Sequence, residues 1–226
     1  MIYKYELHSH TDEVSMCGKV PAAEIVRLHK ENGYNGIVIT DHYSDLTFFP
    51  TKLLTPQRHS DFYLSGYRNA LKAADADFTV LLGMELRYYG TRNDYLVYGL
   101  EEDFFKKCGN LMAMYPKRFT KLARDYGAMI ILAHPFRSRL MDLDVMQYID
   151  GAEIYNGKAA DDEENKKALG WAVENGLAIK TSGSDFHDLN TLAKGGITTD
   201  RRILCNADLL NVLRSGEFDI VETPIK

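Results

Sequence analysis

The chain repeats one unit three times: an amphipathic helix, a glycine, and a short apolar strand that leads to a histidine. In the first copy the helix spans residues 21–32, the strand spans residues 36–40, and the histidine is His42. The second and third copies keep this order and lead to His134 and His187. Helices that alternate with fully apolar strands are typical of a parallel sheet covered by helices. The repeat therefore predicts an α/β fold in which several histidines follow strands.

Other segments extend this prediction along the chain. The second helix and strand lie at residues 119–126 and 128–133, and the third pair lies at 163–175 and 177–181. About four more strands and one late helix are predicted at 2–7, 78–86, 95–98, 152–155 and 207–214. Because no linker or low-complexity stretch interrupts the chain, we expect a single domain over residues 1–226.

Metal-ligating side chains follow most of these strands. His8 and His10 end the first strand, and residues two apart in a strand face the same side, so both imidazoles can reach one ion. Similar residues end the other strands: Asp41, His42, Glu85, Asp94, His134, Asp185 and His187. Both open sheets and closed barrels place their sites at the carboxyl ends of strands, so these side chains should converge. Imidazole with carboxylate suits Zn, Mn and Fe, which predicts a centre with several metals.

Five ordered motifs resemble the polymerase and histidinol phosphatase (PHP) domain family: His8-x-His10, Thr40-Asp41-His42, Gly83-x-Glu85, His134-Pro135 and Gly183-Ser-Asp185-x-His187. The resemblance extends from residue 8 to about residue 196. It implies a distorted seven-stranded βα barrel of the TIM type with two or three divalent metal ions (Mn, Fe or Zn). The activity it implies is phosphoester hydrolysis.

The resemblance also implies a ligand set. The residues that match the ligands of the first metal are His8, His10, Glu85 and Asp185. Glu85 would bridge to a second metal, which His134 also binds. His42 and His187 match ligands of a third metal.

Two positions depart from the common family pattern. Many members have a histidine after the glutamate motif, where this chain has Asp94, so we expect Asp94 to bind the second metal in its place. A carboxylate instead of an imidazole favours harder ions such as Mn or Fe. Many members have Ser-Asp-Gly after the first motif, and here Glu13 is our candidate for the third-metal ligand. The alternatives are Asp12 as a supporting partner, and Cys17 as a soft ligand or a small hydrophobic residue.

The predicted reaction is hydrolysis of a small phosphate monoester by a metal-activated hydroxide. Histidinol phosphate is the first substrate hypothesis, followed by a nucleoside phosphate or a short oligonucleotide. His187, His42 or a metal-bound water would be the general acid, and the sequence leaves these alternatives open. Arg137 is predicted either to contact the phosphoryl group or to be a solvated loop residue. Glu153 and Asn156 either line the pocket or pack beside it.

Two other functions remain as alternatives. One is C–N or C–O bond hydrolysis of the amidohydrolase kind, but that family typically uses a bridging carboxylated lysine where this chain has Glu85. The other is a metal-binding regulatory module without turnover. Of the histidines outside the motifs, His29 is predicted to lie on the surface of its helix. Residues 44–58 are expected to form an irregular loop near the site.

Composition narrows the possible partners. The chain has 226 residues, of which 45% are hydrophobic and 26% charged, which is ordinary globular usage. Its net charge of −5 offers no basic field for long nucleic acids. Three cysteines without a C-x-x-C motif fit a reducing compartment, and no signal peptide or membrane span is expected. We therefore predict a cytoplasmic protein that acts on a small phosphorylated metabolite, and leave its oligomeric state open.

Overall fold

The computed structural model describes residues 1–49, 55–138 and 141–223. Over these residues the chain forms one ten-stranded sheet and eight α-helices. The strands are β1 (Tyr3–Ser9), β2 (Gly36–Ile39), β3 (His42–Tyr43), β4 (Thr79–Arg87), β5 (Asp94–Tyr98), β6 (Met129–Leu132), β7 (Gly151–Asn156), β8 (Ile179–Gly183), β9 (Gly195–Thr199) and β10 (Asp219–Glu222). The helices are α1 (Ala22–Glu31), α2 (Asp45–Phe48), α3 (Pro56–Tyr63), α4 (Ser65–Ala73), α5 (Glu102–Lys107), α6 (Pro116–Asp125), α7 (Asp162–Glu174) and α8 (Asn206–Ser215).

Seven strands form a barrel in the order β1-β2-β4-β5-β6-β7-β8. Neighbours are parallel except at β5, which is antiparallel to both β4 and β6. Phe186, just after β8, closes the barrel: its N–H donates to the carbonyl of His8 (3.0 Å) and its carbonyl accepts from the N–H of His10 (2.9 Å). The predicted βα barrel is thereby confirmed, although the whole sheet has ten strands rather than seven. Three further strands lie beside it: β3 pairs with the end of β4, β9 pairs antiparallel with the start of β1, and β10, which follows α8, pairs antiparallel with β9.

The repeated glycines explain how each helix delivers the chain to the next strand. Gly33, Gly127 and Gly176 have φ values of +78°, +89° and +66°, in the left-handed region that glycine adopts without a steric penalty. The residue after each glycine donates to the carbonyl five residues earlier, as Tyr34 does to His29 at 3.0 Å. This pattern satisfies the free carbonyls at the helix end. Each apolar strand therefore starts at the same end of the barrel and finishes at the opposite end.

One apolar layer fills the barrel below the site. Its side chains come from five neighbouring strands and are all buried: Leu7, Val38, Leu81, Leu96 and Ile131. A Leu→Ala change in such a layer typically costs about 2–5 kcal/mol of unfolding free energy. The carboxyl ends of the strands thus rest on a packed base, which limits the motion of the polar side chains above it.

Two predictions about the periphery were wrong. The segment 44–58 contains α2 and the start of α3, although residues 50–54 lie outside the described residues. His29 is fully buried, because it continues the buried stripe of α1 formed by Ala22, Ile25 and Val26 at helical spacing. In the part of the chain that is described, no helix is both long and apolar enough to cross a bilayer.

Candidate metal centre

Five imidazoles meet at the carboxyl ends of the barrel strands. His8 and His10 lie at the end of β1, and their ring centroids are 5.0 Å apart. The ring of His10 lies 4.1 Å from that of His42 and 4.2 Å from that of His187. On the other side, the ring of His8 stacks on that of His134 at 5.7 Å. The structure therefore brings together the histidines that the sequence places at strand ends.

Glu85, near the end of β4, lies between four of these imidazoles and is 1% exposed. Its Oε1 is 2.9 Å from Nε2 of His134 and 3.4 Å from Nε2 of His8. Its Oε2 is 2.5 Å from Nδ1 of His42 and 3.4 Å from Nε2 of His10. Each oxygen of one carboxylate thus faces two imidazoles, which is the arrangement that a ligand bridging two ions requires.

Asp185, two residues after β8, provides the second carboxylate. Its Oδ1 is 3.0 Å from Nδ1 of His187, 3.3 Å from Nε2 of His10 and 3.6 Å from Nε2 of His8. Its Oδ2 accepts from Nη2 of Arg137 at 2.5 Å. The φ of Asp185 is +50°, a conformation that costs a non-glycine residue about 1–3 kcal/mol. The surrounding contacts therefore hold this ligand in a strained backbone conformation.

Glu153 on β7 connects several of these groups from behind. Its Oε1 accepts from Nδ1 of His8 at 2.9 Å, and its Oε2 accepts from the backbone N–H of His134 at 2.9 Å and from Nδ2 of Asn156 at 2.8 Å. Asn156 in turn accepts from Nη2 of Arg137 at 2.7 Å. One fully buried carboxylate thus fixes two predicted ligands and, through Asn156, the guanidinium.

Three imidazoles are held in the tautomer that leaves Nε2 free to bind a cation. Nδ1 of His8 donates to a carboxylate oxygen of Glu153. Nδ1 of His10 lies 3.3 Å from the hydroxyl of Ser15, whose own proton goes to Asp41, so that the hydroxyl can accept. Nδ1 of His187 donates to the backbone carbonyl two residues earlier at 2.9 Å. Such outer hydrogen bonds orient metal-binding histidines in general.

The charges of the site are strongly coupled. Burial opposes the charged form of His8, but the carboxylates of Glu153, Asp185 and Glu85 outweigh it and raise its pKa well above the usual value. Burial likewise opposes ionisation of Glu85, yet His42 and His8 lower the pKa of this carboxyl well below its usual range. The buried carboxylates therefore require positive charge between the imidazoles, from protons or from cations.

The donor atoms fit divalent metal ions. Among the described residues, the potential ligand atoms of three sets lie within 4.8 Å of one another: His8, His10 and Asp185; His8, Glu85 and His134; His10, His42 and His187. Nε2 of His8, Nε2 of His10 and Oδ1 of Asp185 are buried without a hydrogen-bond partner in the described structure. Leaving such atoms unpaired is costly, and a cation between them removes that cost.

The structure does not bring Glu13 to this cluster. Its carboxylate accepts from the N–H of Ala22 at 3.0 and 3.2 Å, which places it at the amino end of α1, and from Nδ2 of Asn69 at 3.1 Å. The free N–H groups and positive dipole end of a helix attract a carboxylate. The expectation that Glu13 replaces a third-metal ligand is therefore not supported by its position.

Asp94 lies beside the cluster but is already paired. Arg87 binds both of its oxygens, with Nε–Oδ1 at 2.6 Å and Nη2–Oδ2 at 2.5 Å. Oδ2 of Asp94 is 3.7 Å from Nε2 of His134. Arg87 and Asp94 are directly opposite each other in the antiparallel β4–β5 pair, which explains the bidentate contact. Asp94 is thus close enough to bind a second metal, but the ion would have to compete with the guanidinium of Arg87 for its oxygens.

Cys17 follows Glu13 in the segment between β1 and α1. Its side chain is close enough to His187 and His42 for these imidazoles to influence its ionisation. Burial opposes thiolate formation, but these two imidazoles outweigh it and lower the pKa of Cys17 to about 6. The neighbouring backbone is anchored at the same place, because the N–H of Lys19 donates to the carbonyl of His187 at 2.8 Å. Of the two alternatives for this position, the structure places Cys17 beside the imidazoles.

Sequence reasoning left the role of Glu153 undecided and did not identify Ser15. A signal for Glu153 was present, since a lone acidic residue inside a buried strand needs a partner. Gly183 on β8 belongs to the same arrangement: a side chain there would collide with Cβ of His8 and Oε1 of Glu153. The glycine of this motif is therefore required by the close approach of two site residues.

A comparison with protein families gives a match to the PHP domain over residues 6–174. This range covers most of the chain and contains four of the five motifs described above. No curated protein sequence matches the chain.

Three solved structures share the fold at low sequence identity. PsfC from Pseudomonas syringae is 15% identical, with a TM-score of 0.71 over 98% of this chain and 92% of its own. A protein from Bifidobacterium adolescentis, assigned as a metal-dependent phosphoesterase, is 14% identical, with a TM-score of 0.57 over 93% and 95% of the two chains. An amidohydrolase from Chromobacterium violaceum, solved with bound sulfate and no metal, is 15% identical, with a TM-score of 0.58 over 96% and 97%. These likenesses concern the fold.

Proposed function

The chain belongs to the PHP domain family, and we propose that it is a metal-dependent hydrolase that cleaves small phosphate monoesters. The observation that supports this proposal most is the position of Glu85, whose two oxygens face four imidazoles. A carboxylate in this place can be shared by two ions. It stands where an amidohydrolase typically has a carboxylated lysine, which favours phosphoesters over amides.

The ligand set follows from the contacts. The first ion would be held by Glu85 together with His8, His10 and Asp185. The second would be held by Glu85 and His134, with Asp94 available if Arg87 releases it. The third would be held by His42 and His187, whose donor atoms lie within 4.8 Å of each other and of a donor atom of His10. Cys17 instead of Glu13 is our candidate for its further ligand. When bound, such ions neutralise phosphoryl oxygens and lower the pKa of a coordinated water.

The protein's own groups would position the substrate and move a proton. Arg137, whose side chain is 31% exposed, is fixed by Asp185 and Asn156 and would contact an oxygen of the phosphoryl group. His42 is the more exposed of the two outer imidazoles, with 22% of its side chain accessible. In a protein that holds only the first two ions, it or His187, with the two Nε2 atoms 3.4 Å apart, would give a proton to the leaving alcohol.

The substrate would be a small phosphorylated metabolite. Histidinol phosphate is the first candidate, and nucleoside phosphates or short oligonucleotides come next. The net charge of −5 disfavours long nucleic acids as substrates.

A substrate screen tests this proposal. The protein, loaded separately with Mn²⁺, Fe²⁺ or Zn²⁺, is assayed against a panel of phosphate monoesters, phosphodiesters and amides, with metal content measured on the same samples. We expect metal-dependent phosphate release from at least one monoester. Amide cleavage without phosphate release would favour the amidohydrolase alternative, and full metal content without any turnover would favour a binding module.

A further inference from the structure

Glu6 on β1 is a buried acid that the proposed reaction does not use. Its side chain is fully buried, and it precedes the predicted ligand His8 by two residues. Burying a carboxylate is costly unless its oxygens are hydrogen-bonded, so the contacts of Glu6 indicate what it stabilises.

One oxygen of Glu6 binds three backbone N–H groups. Oε1 accepts from Leu7 at 3.0 Å, from His8 at 3.0 Å and from Ser184 at 2.9 Å. Leu7 and His8 lie on β1, and Ser184 lies directly after β8, next to Asp185. A single oxygen therefore joins the two chain segments that supply ligands of the first ion.

These segments are irregular at this point. The register of β1 against β2 shifts between Glu6 and Ser9. Asp185 has the positive φ described above, and its neighbour Ser184 is the residue that Glu6 holds. Where a strand pair is interrupted, backbone N–H groups need other acceptors. The Glu6 carboxylate provides one for both irregular segments.

The second oxygen faces the helix outside the barrel. Oε2 of Glu6 is 3.8 Å from Nε2 of His29 on α1, and both atoms are buried. Nδ1 of His29 donates to the carbonyl of Ile25 at 2.9 Å, which fixes the ring. Glu6 therefore faces α1, whereas His8, two residues on, contacts Glu85 and Glu153. In a regular strand, side chains two residues apart face the same side. Here they do not, and the irregularity turns His8 towards the metal centre while Glu6 faces α1.

We infer that Glu6 is a positioning residue for the first metal site. Through one carboxylate oxygen it holds the backbone of His8 and of Ser184, the residue before Asp185, so that the side chains of His8 and Asp185 point to the same place. This inference rests on the proposed metal centre. It assigns Glu6 no contact with metal or substrate. The role depends on the reach and the acceptor oxygen of the side chain, so a glutamine should preserve it and a shorter side chain should not.

The test compares four variants by metal binding. Mn²⁺ and Zn²⁺ affinities are measured by competition with a chelator for wild type, Glu6→Gln, Glu6→Asp and Glu6→Ala, with melting temperatures for each. Leu81→Ala, in the apolar layer of the barrel, is the control for lost stability. We expect Glu6→Gln to bind metal within about fivefold of wild type, because the amide oxygen of glutamine has the same reach and remains an acceptor for these backbone N–H groups. Glu6→Asp and Glu6→Ala should lose about 10- to 100-fold in affinity at one site per chain.

The outcomes separate this inference from the proposed function. Failure of the wild-type chain to bind any metal contradicts the proposed function itself. Metal binding by wild type that is equally strong in Glu6→Asp and Glu6→Ala, or equally weakened in Leu81→Ala, overturns the role of Glu6 alone. If Glu6→Ala does not fold, the comparison of Glu6→Asp with Glu6→Gln decides.

Discussion

The inner and outer parts of the metal centre differ in how firmly the protein holds them. The inner part consists of five residues that are each at most 6% exposed: His8, His10, Glu85, His134 and Asp185. Glu153 and Glu6 fix several of them from behind. The outer part consists of His42, His187 and Cys17, and two of these reach solvent. The inner part is thus arranged before an ion binds. In the outer part only His187 is buried and fixed by a hydrogen bond, so His42 and Cys17 can adjust to the ion or the substrate.

This difference predicts two classes of metal binding. Ions at the inner part should bind tightly and survive dialysis, because their ligands lose little freedom on binding. An ion at the outer part should exchange readily. The following variants test this difference between the two parts and are given in order of decreasing expected effect.

Glu85→Gln should have the largest effect because it removes the carboxylate that we propose to be shared by two ions. We expect phosphatase activity to fall at least about 1,000-fold, in keeping with the several kcal/mol that metal ions contribute to such transition states. Metal analysis should show the loss of inner ions as well. Glu174→Gln, an exposed change at the end of α7, is the control. Wild-type activity with full metal content in Glu85→Gln would refute the bridging role.

Glu153→Gln tests whether the inner part is held from behind. Glutamine keeps the size of the side chain but cannot accept from both Nδ1 of His8 and the N–H of His134 as a carboxylate does. Metal affinity of the inner part should fall about 10- to 100-fold, while the outer ion is unchanged. Isothermal titration calorimetry measures the metal affinities of the inner and outer parts in one experiment. An equal loss at both would show that the two parts are not independent.

Arg137→Ala tests the contact to substrate. It removes a guanidinium that binds Asp185 at 2.5 Å and is partly open to solvent. For a phosphate monoester, kcat/KM should fall about 10- to 100-fold, the size of a charged hydrogen bond. The exposed Arg92→Ala is the matched control and should leave kcat/KM unchanged. Lost metal without a change in KM would instead assign Arg137 to the stability of the Asp185 ligand.

Cys17→Ser should have the smallest effect, because it changes only the adjustable outer part. In Co²⁺-loaded wild type we expect a near-ultraviolet charge-transfer band from thiolate to cobalt, and its absence in Cys17→Ser. Activity should fall less than about tenfold, since the inner ions remain. Cys205→Ser, at an exposed position, and Glu13→Gln should both keep the band. A band that disappears in Glu13→Gln would return Glu13 to the ligand set.

The same contrast divides the features that could be predicted from the sequence from those that could not. The periodic helices, the glycines and the strand-end residues are local signals, and they were sufficient to predict the barrel and the clustering of imidazoles and carboxylates at one end of it. The contacts of Glu13 and Asp94 could not be predicted, because their partners come from elsewhere in the fold. Glu13 lies at the amino end of α1, and Asp94 is opposite Arg87 across an antiparallel pair that the repeat does not indicate. Cys17 could be placed only once the loop after β1 was known.

The most direct test of the metal centre is anomalous X-ray scattering from crystals of the protein loaded with Zn²⁺ or Mn²⁺. The structure predicts strong peaks beside Glu85, one near His8, His10 and Asp185 and one near His134, with a weaker peak near His42 and His187. Peaks at surface sites only, with Glu85 still bonded directly to the imidazoles, would contradict the account.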